Sequence, residues 1–534
     1  MECQLNRVFN REPLNREPIN MEGAGIVKIV SNRIVLLSVA LLFFASACAL
    51  GVEIEEPGKI SVVAESGAGR LLLVETSYGS VNVAVLKGTH YEMGKQYGAL
   101  LGPRIAVISK ATDLGMVMGG EHSKEDLEKL VTKVWGMMSS HVPDVFKEEI
   151  KGIVDGARAS GAEFTELDLI APLVIANISE MYDKNSLLGG KSSLRHLLDE
   201  LAYTCSSFAA WGERTEGGKL FSSRVLDWKP GTGTDRFKLI TVYEPVDGSG
   251  NKLNAYMTAG FIGFFGATNG MNDKGITVSE IGSENTVEKL DGMPWTLMFR
   301  QILEESNSLD DAVKIVRESE NTIGYNFVIG DGDAENYGSK AWRPRGAAIE
   351  ENGKFTAVMY DDDPVDHDAV WIDSSGKAVL VDGAPLHYGT PLKQAVLRAD
   401  EAMSPDVRRT QTAANGPGNP DGGGNPLEGD SYRDRHRSQY DALVALETGG
   451  AFNNPYNGEP VFAATGEKRL IGPETALEIA SAAATPDSCV LAIAYAATDL
   501  DFYAAWEDTA GADWQPAFKM PFLKLSLKEL TSKE

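Results

Sequence analysis

Between Ser61 and Gly88, "SVVAESGAGRLLLVETSYGSVNVAVLKG" alternates apolar and polar residues in short runs broken by glycine, which predicts strands. From about Tyr91 the spacing changes. "EDLEKLVTKVWGMMSSHV", "DVFKEEIKGIVDGARASG" and "TELDLIAPLVIANISEMY" place apolar residues three and four apart, with Ser123, Asp144 and Thr165 as helix caps. Residues 91–200 therefore read as helical. Strand signals return at Tyr203 and run to Ser283, through "SSFAAWGER", "KLFSSRVLDW", "RFKLITVYEP", "LNAYMTAGFIGFF" and "GITVSEIG". A helical stretch, "WTLMFRQILEESNSLDDAVKIVRES", is followed by strands at "YNFVIGDG", "FTAVMYD" and "KAVLVDG". Sheets in series with helices laid on them predict an α+β layered sandwich. The segment Ala413–Asp430, "AANGPGNPDGGGNPLEGD", reads as a mobile surface loop, and "SYRDRHRSQYDALVALE" after it as a helix.

A chain of 534 residues can build one large layered domain with a helical annex. Its 76 Asp and Glu against 50 Lys and Arg give a net charge of −26, and no segment clusters the cations that a nucleic-acid surface needs. Lys28 and Arg33 precede the apolar run Ile34–Leu50, and "ASA" stands before Cys48. This is the pattern of an export signal, with an uncleaved membrane anchor or a lipid-modified Cys48 as open alternatives, although Ala45 replaces the usual leucine of a lipobox. The expected product is secreted or anchored to the outer face of a membrane. The repeated "NREP" upstream of Met21 reads as lying outside the expressed protein.

Cys3 and Cys48 fall in the removable segment, which leaves Cys205 and Cys489 for the body. Two cysteines make no disulfide framework, though one bridge between them stays open. Cys489, in "SCVLAIAYAA", reads as a small buried hydrophobe. Cys205 opens "TCSSFAAWGERT". After it, Gly217 and Gly218 in "EGGK" supply the positive φ values of a hairpin, and "KLFSSRVLDWKP" returns Arg224 and Asp227 toward the thiol. A slip of one residue would reverse their faces, so convergence of all three is an expectation for the structure to decide. A thiol of pKa near ~8.5 needs a helper to attack. His196 lies near in sequence, His387 and His436 lie far, and no papain-like or caspase-like signature surrounds Cys205. The other route is the cysteine's own α-amine, exposed by a cut just before it.

"TCSSFAAWGERTEGGKLFSSRVLDW" resembles the nucleophile hairpin of N-terminal nucleophile hydrolases related to acyl-coenzyme A:isopenicillin N acyltransferase and, more distantly, to choloylglycine hydrolases and penicillin V acylases. "GTHYEMGKQYGALLG", "EEIKGIVDGARASGAEFTELDLI", "FFGATNGMNDKGITVSE", "GYNFVIGD" and "DSYRDRHRSQYDAL" are similar to further family segments in comparable order, from about Leu86 to Glu507. The resemblance implies a four-layer αββα fold, with an export leader over 1–50, a largely helical pro-region over 51–204 and a catalytic chain over 205–534. It implies a cut between Thr204 and Cys205, which makes Cys205 the nucleophile. By the same resemblance Asp227 would hold the new α-amine and Arg224 would favour the thiolate. Trp228 would border the substrate, Asn272 would touch it, and Asn326 would donate to the oxyanion. Arg433, or Arg435 in the same "SYRDRHR", would help close the site. Each has an ordinary alternative: a surface ion pair for Arg224 and Asp227, core for Trp228, a turn for Asn272, a strand-end cap for Asn326 and a solvated helix face for the arginines.

The acidic run Tyr360–Asp368, "YDDDPVDHD", raises a calcium site, but Pro364 interrupts it and a solvated loop accounts for it. "DGDAENYGS" starts like a calcium loop and has Asn336 where glycine is needed. Phosphate loops, zinc spacings and dinucleotide fingerprints are missing, so neither metal nor cofactor is expected. The expected activity is hydrolysis or transfer of the acyl group of a small N-acyl amide, without nucleic acid, and with a membrane engaged only through the N-terminus. The alternatives are an exported binding lipoprotein that keeps the fold without chemistry, and a phospholipase-like or lipid amidase relative.

Overall fold

The alternation of side chains along the Thr204–Ala210 strand divides it between two apolar layers: Cys205 and Ala209 enter one, Phe208 and Ala210 the other. The strand is therefore covered on both faces, and the whole architecture follows from that double burial. In the computed structural model, which describes residues 51–118, 124–188, 204–363, 380–381, 383–385, 392–411, 435–511 and 513–532, it lies in a seven-stranded sheet. That sheet runs in spatial order Ile54–Glu55, Phe522–Ser526, Asp501–Trp506, Cys489–Ala496, Phe221–Asp227, Thr204–Ala210 and Ala395–Arg398. A ten-stranded sheet runs from Thr356–Met359 through Arg345–Glu351, Tyr325–Asp331, Ile276–Gly282, Asn269–Asn272, Tyr256–Phe261 and Lys238–Pro245 to Gly79–Gly88, Gly69–Thr76 and Ile60–Ser66.

The inner faces of the two sheets meet in one core, which includes Val83, Ile240, Leu226, Ile493 and Trp506. Helices cover both outer faces. His90–Met118, Lys124–Met138, Asp144–Ala159, Glu166–Ile178, Trp295–Glu305 and Leu309–Glu318 pack on the ten-stranded sheet, and Arg435–Thr448 and Pro473–Ala483 on the seven-stranded one. This is the four-layer αββα sandwich. The Ala413–Asp430 segment lies outside the described residues. No helix among the described residues is long and apolar enough to cross a membrane.

The described residues ahead of Cys205 are mostly helical, and the strands read over Ser61–Gly88 belong to the sheets. They contribute four strands as well as their helices. Ile54–Glu55 pairs parallel with Phe522–Ser526, and Gly79–Gly88 pairs parallel with Lys238–Pro245 from Asn82↔Leu239 to Gly88↔Pro245. Both sheets are thus completed from the N-terminal side.

The glycines that punctuate "GTHYEMGKQYGALLG" and "EEIKGIVDGARASG" also gain a physical reason. The His90–Met118 and Asp144–Ala159 helices meet backbone to backbone. A Cβ added at Gly98 would lie 1.9 Å from the Ile153 carbonyl oxygen, at Gly156 2.0 Å from that of Lys95, and at Gly94 2.2 Å from that of Glu149. Backbone at this distance cannot move aside as a side chain can. Gly98→Ala and Gly156→Ala are each expected to destabilise the protein by about 2–3 kcal/mol in urea melts. Exposed Gly136, whose added Cβ meets nothing within 4 Å, should gain about 0.5–1 kcal/mol on the same change. A Gly98→Ala protein that melts like wild type would show that the helices are not in contact.

Candidate active site

The hairpin register settles the faces. Thr204 pairs with Asp227, Cys205 with Leu226 and Ser207 with Arg224, through to Ala210 with Phe221. Gly217 and Gly218 take φ of 63° and 72° in the connection, as the "EGGK" signal requires. Cys205 lies diagonally across from Arg224, within reach of a long side chain on the same face. Asp227 is one residue out of phase with Arg224. It shares the face of Phe221 and Val225, beneath the helices.

Cys205 is fully buried, and its Sγ accepts a hydrogen bond from Arg224 Nη2 at 3.2 Å. The same guanidinium donates to the Glu280 carbonyl at 3.0 Å through Nε and to Glu280 Oε2 at 3.1 Å through Nη2. Arg224 thus joins a thiol of one sheet to a carboxylate of the other. Burial pushes the Cys205 thiol well up, with Arg224 pulling the other way and Glu280, Asp400 and Asp227 adding to the rise. Glu280 is pushed up to about 8 by burial, against the opposing pull of Arg224.

A second group of charges meets the backbone of Cys205. Its N–H donates to Asp400 Oδ1 at 3.2 Å. Arg435 then bridges two carboxylates, with Nη1 2.9 Å from Asp400 Oδ2 and Nη2 3.1 Å from Asp227 Oδ2. Asp227 also accepts from the Thr485 N–H and hydroxyl, each at 3.3 Å. Burial pushes Asp227 up to about 6, although Arg435 and the Thr485 bonds hold it down. The carboxylate that touches the Cys205 nitrogen is therefore Asp400, with Asp227 one arginine away.

Other expected site residues are placed differently. Both amide protons of Asn326 are donated to carbonyls, of Ala399 at 2.7 Å and Glu401 at 3.1 Å, so the expected free oxyanion donor is engaged in holding the turn that carries Asp400. Asn272 donates to Leu303 and Ser306 carbonyls and accepts from the Lys274 and Ile276 N–H groups, which saturates it as a turn residue. These bonds are those of its ordinary alternative, a turn residue. Trp228 is half-buried against the core between the sheets, and its backbone N–H donates to Ser488 at 2.7 Å. Of the two arginines in "SYRDRHR", Arg435 enters the site, whereas Arg433 lies outside the described residues, as do His196 and His387. His436 is buried on the Arg435–Thr448 helix. Among the described residues no histidine shares a hydrogen bond with Cys205, whose polar partners are Arg224 and Asp400. Cys205 and Cys489 are both free thiols.

The acidic run at Tyr360 is described only as far as Asp363. Asp331 of "DGDAENYGS" accepts from the N–H groups of Leu309 and Asp333, which makes it a cap and turn residue. Sequence reasoning missed Glu280 and Asp400. For Glu280 a signal existed, since a lone acid inside the apolar strand "GITVSEIG" must find a buried partner. Asp400 has no such mark: "RADEAMSPD" reads as any acidic turn after a strand.

A model of the acyl-coenzyme A:6-aminopenicillanic acid acyl-transferase family matches residues 214–350, the stretch that carries Arg224, Asp227, Glu280 and Asn326. An uncharacterized protein of Archaeoglobus fulgidus is 26% identical over 283 residues, covering 52% of this chain and 44% of its own length. Protein dcd1B of Dictyostelium discoideum is 24% identical over 276 residues, covering 51% of this chain and 52% of its own. The chain thus spans about half the length of these two relatives. Among solved structures, an N-acylethanolamine-hydrolyzing acid amidase ortholog of Caenorhabditis elegans aligns with 60% of this chain and 100% of its own, at a TM-score of 0.32 and 11% identity. A conjugated bile acid hydrolase of Clostridium perfringens aligns with 62% of this chain and 95% of its own, at 0.33 and 11%. Over residues 214–350 the chain is thus similar to the acyl-coenzyme A:6-aminopenicillanic acid acyl-transferase family, and its two sheets packed between helical layers have the αββα architecture of N-terminal nucleophile hydrolases.

Proposed function

We propose that the protein cuts itself between Thr204 and Cys205 and then hydrolyses N-acyl amides through a Cys205 thioester. The observation that carries this reading is the Arg224 guanidinium 3.2 Å from a thiol at the head of a hairpin strand between two sheets. Such a cation stabilises developing thiolate where burial opposes it. In the first reaction the Cys205 sulfur adds to the Thr204 carbonyl carbon, the C–N bond breaks, and the thiol proton passes to the departing nitrogen. Water then hydrolyses the thioester, leaving a Thr204 carboxyl group, a free thiol and a free α-amine. In turnover that amine, with an ordinary pKa near ~8, takes the thiol proton as sulfur attacks the substrate carbonyl. It returns the proton to the leaving amine, and then activates the water that releases the acid.

Export through the Ile34–Leu50 run belongs to the same proposal. Coenzyme A is scarce outside the cytoplasm, so water is the acceptor this reading favours. The two pieces made by the cut share both sheets, and so form one folded unit held together without a covalent link.

Intact-mass measurement of purified protein should find two fragments divided at Thr204 and Cys205, which co-elute on native size exclusion and part only in denaturant. Cys205→Ala should remain one chain with no amide hydrolysis. An uncut wild-type chain that still turns over N-acyl substrates would sink the mechanism.

Buried charges at the site also set a pH dependence of stability. Glu280 at about 8 and Asp227 at about 6 both stand above the ordinary values of 4.5 and 3.8. A raised carboxyl binds its proton more tightly folded than unfolded, so its contribution is complete below the unfolded pKa and is lost as pH rises to the folded one. Stability should therefore decline between about pH 4.5 and 8, and Glu280→Gln should flatten the decline. Denaturant melts across that range are the measurement. A slope that the substitution leaves unchanged would show that Glu280 does not hold its proton in the folded protein.

A further inference from the structure

We infer that Asp400 is the carboxylate that holds the Cys205 nitrogen, as an amide before the cut and as an α-ammonium after it. The inference rests on the self-cutting reading above and assigns a further catalytic residue to it. Asp400 Oδ1 already accepts from that nitrogen at 3.2 Å, and the nitrogen is the leaving group of the first reaction. The Asp400 side chain is 11% exposed, and its other oxygen, Oδ2, is fixed by Arg435 Nη1 at 2.9 Å. Its backbone is strapped on every side. Asn326 holds the carbonyls of Ala399 and Glu401, Gln411 Nε2 donates to the Asp400 carbonyl at 2.9 Å, and Glu350 accepts from the Met403 and Ser404 N–H groups at 2.6 and 2.7 Å. A surface turn needs no such bracing. A turn that must keep one carboxylate on one nitrogen does.

The neighbouring partners point the same way. Around Cys205 stand Arg224 and Asp227 from its partner strand, Glu280 from the facing sheet, Asp400 from its turn and Arg435 from the helix above, with the Cys489 thiol on the next strand. Asp400 accepts from the Cys205 nitrogen, whereas Asp227 accepts from Thr485 and pairs with Arg435, and Glu280 accepts from Arg224.

An opposite charge in contact raises an amine's pKa, so loss of the Asp400 charge should lower it. The test uses full-length wild type, Asp400→Asn and Asp400→Glu. Each cut protein has its thiol capped as a methyl disulfide, and the Cys205 α-amine is titrated by trace acetylation with acetic anhydride, read by peptide mass. Asp400→Asn should cut at least ~10-fold more slowly, and its α-amine pKa should fall by about 1 unit, with Asp400→Glu lying nearer to wild type. An α-amine pKa unchanged in Asp400→Asn, at any rate of cutting, overturns the inference. Where Asp400→Asn gives no cut chain, a wild-type melt with cutting restored by Asp400→Glu supports it, and a lowered melt without that rescue counts against it. A wild-type chain that is itself uncut fails the parent reading, which separates the two.

Discussion

One guanidinium sets the terms for the rest of the molecule. Arg224 leaves the seven-stranded sheet, touches a thiol, and ends on the backbone and side chain of Glu280 in the ten-stranded sheet. A charge with no exposed surface is tolerable only when it is paired and hydrogen-bonded, and removing one partner from such a pair costs about 3–5 kcal/mol. The pairing therefore fixes how the two sheets meet at the Cys205 end, and with it where the sulfur lies. Well-packed apolar residues would hold two sheets together at least as firmly. What they would not provide is a cation against sulfur in a place that water does not reach.

The layers were legible because each strand and helix follows its own period, and a chain that alternates sheet and helix signals has few ways to stack. The hairpin that carries Cys205 was legible as well, since Gly217 and Gly218 take the positive φ values that the turn needs. Its surroundings were less so. Alternation along "RVLDW" already sets Arg224 and Asp227 on opposite faces, but which of them lies on the Cys205 side depends on a pairing register that the segment does not carry. Asp400 reaches Cys205 from 195 residues away, through a turn whose position depends on Asn326, Gln411 and Glu350. Local pattern holds no information about a contact of that span. Asn272 and Asn326 show the converse, since their motif surroundings suggested substrate chemistry while their amides serve the backbone.

The same solution appears a second time, on the other face of the ten-stranded sheet. Arg300, wholly buried, donates to Glu149 at 2.8 Å, to the Tyr256 hydroxyl at 2.8 Å and to the Phe265 carbonyl at 3.1 Å, with its guanidinium carbon 4.3 Å from the centre of the Tyr243 ring. Glu304, on the same helix as Arg300, accepts from Tyr256 at 2.8 Å and pairs with His90 at 2.9 Å. His90 and Glu149 precede Cys205 in the chain, whereas Arg300, Glu304 and Tyr256 follow it. This network therefore joins the two segments that a cut at Cys205 would separate, and it does so with groups that cannot be parted without leaving buried charge behind.

The two networks answer opposite demands on titration. Burial alone would push His90 down, but the bond to Glu304 and the charges of Glu304 and Glu149 outweigh it and raise the imidazole above its ordinary value. Burial alone would push Glu304 up, yet His90, Arg300 and Tyr256 bring it below. Both partners therefore favour the charged pair, whose stabilisation is complete between the unfolded carboxyl and unfolded imidazole pKa values, fades as pH rises through the folded imidazole value and is lost as pH falls through the folded carboxyl one. Around Cys205 the carboxylates outnumber the guanidiniums, and burial leaves Asp227 and Glu280 both raised. A balanced network is suited to holding pieces together. Where carboxyl groups exceed guanidiniums in a buried site, protons make up the difference, which is why Asp227 and Glu280 are raised while Glu304 is lowered.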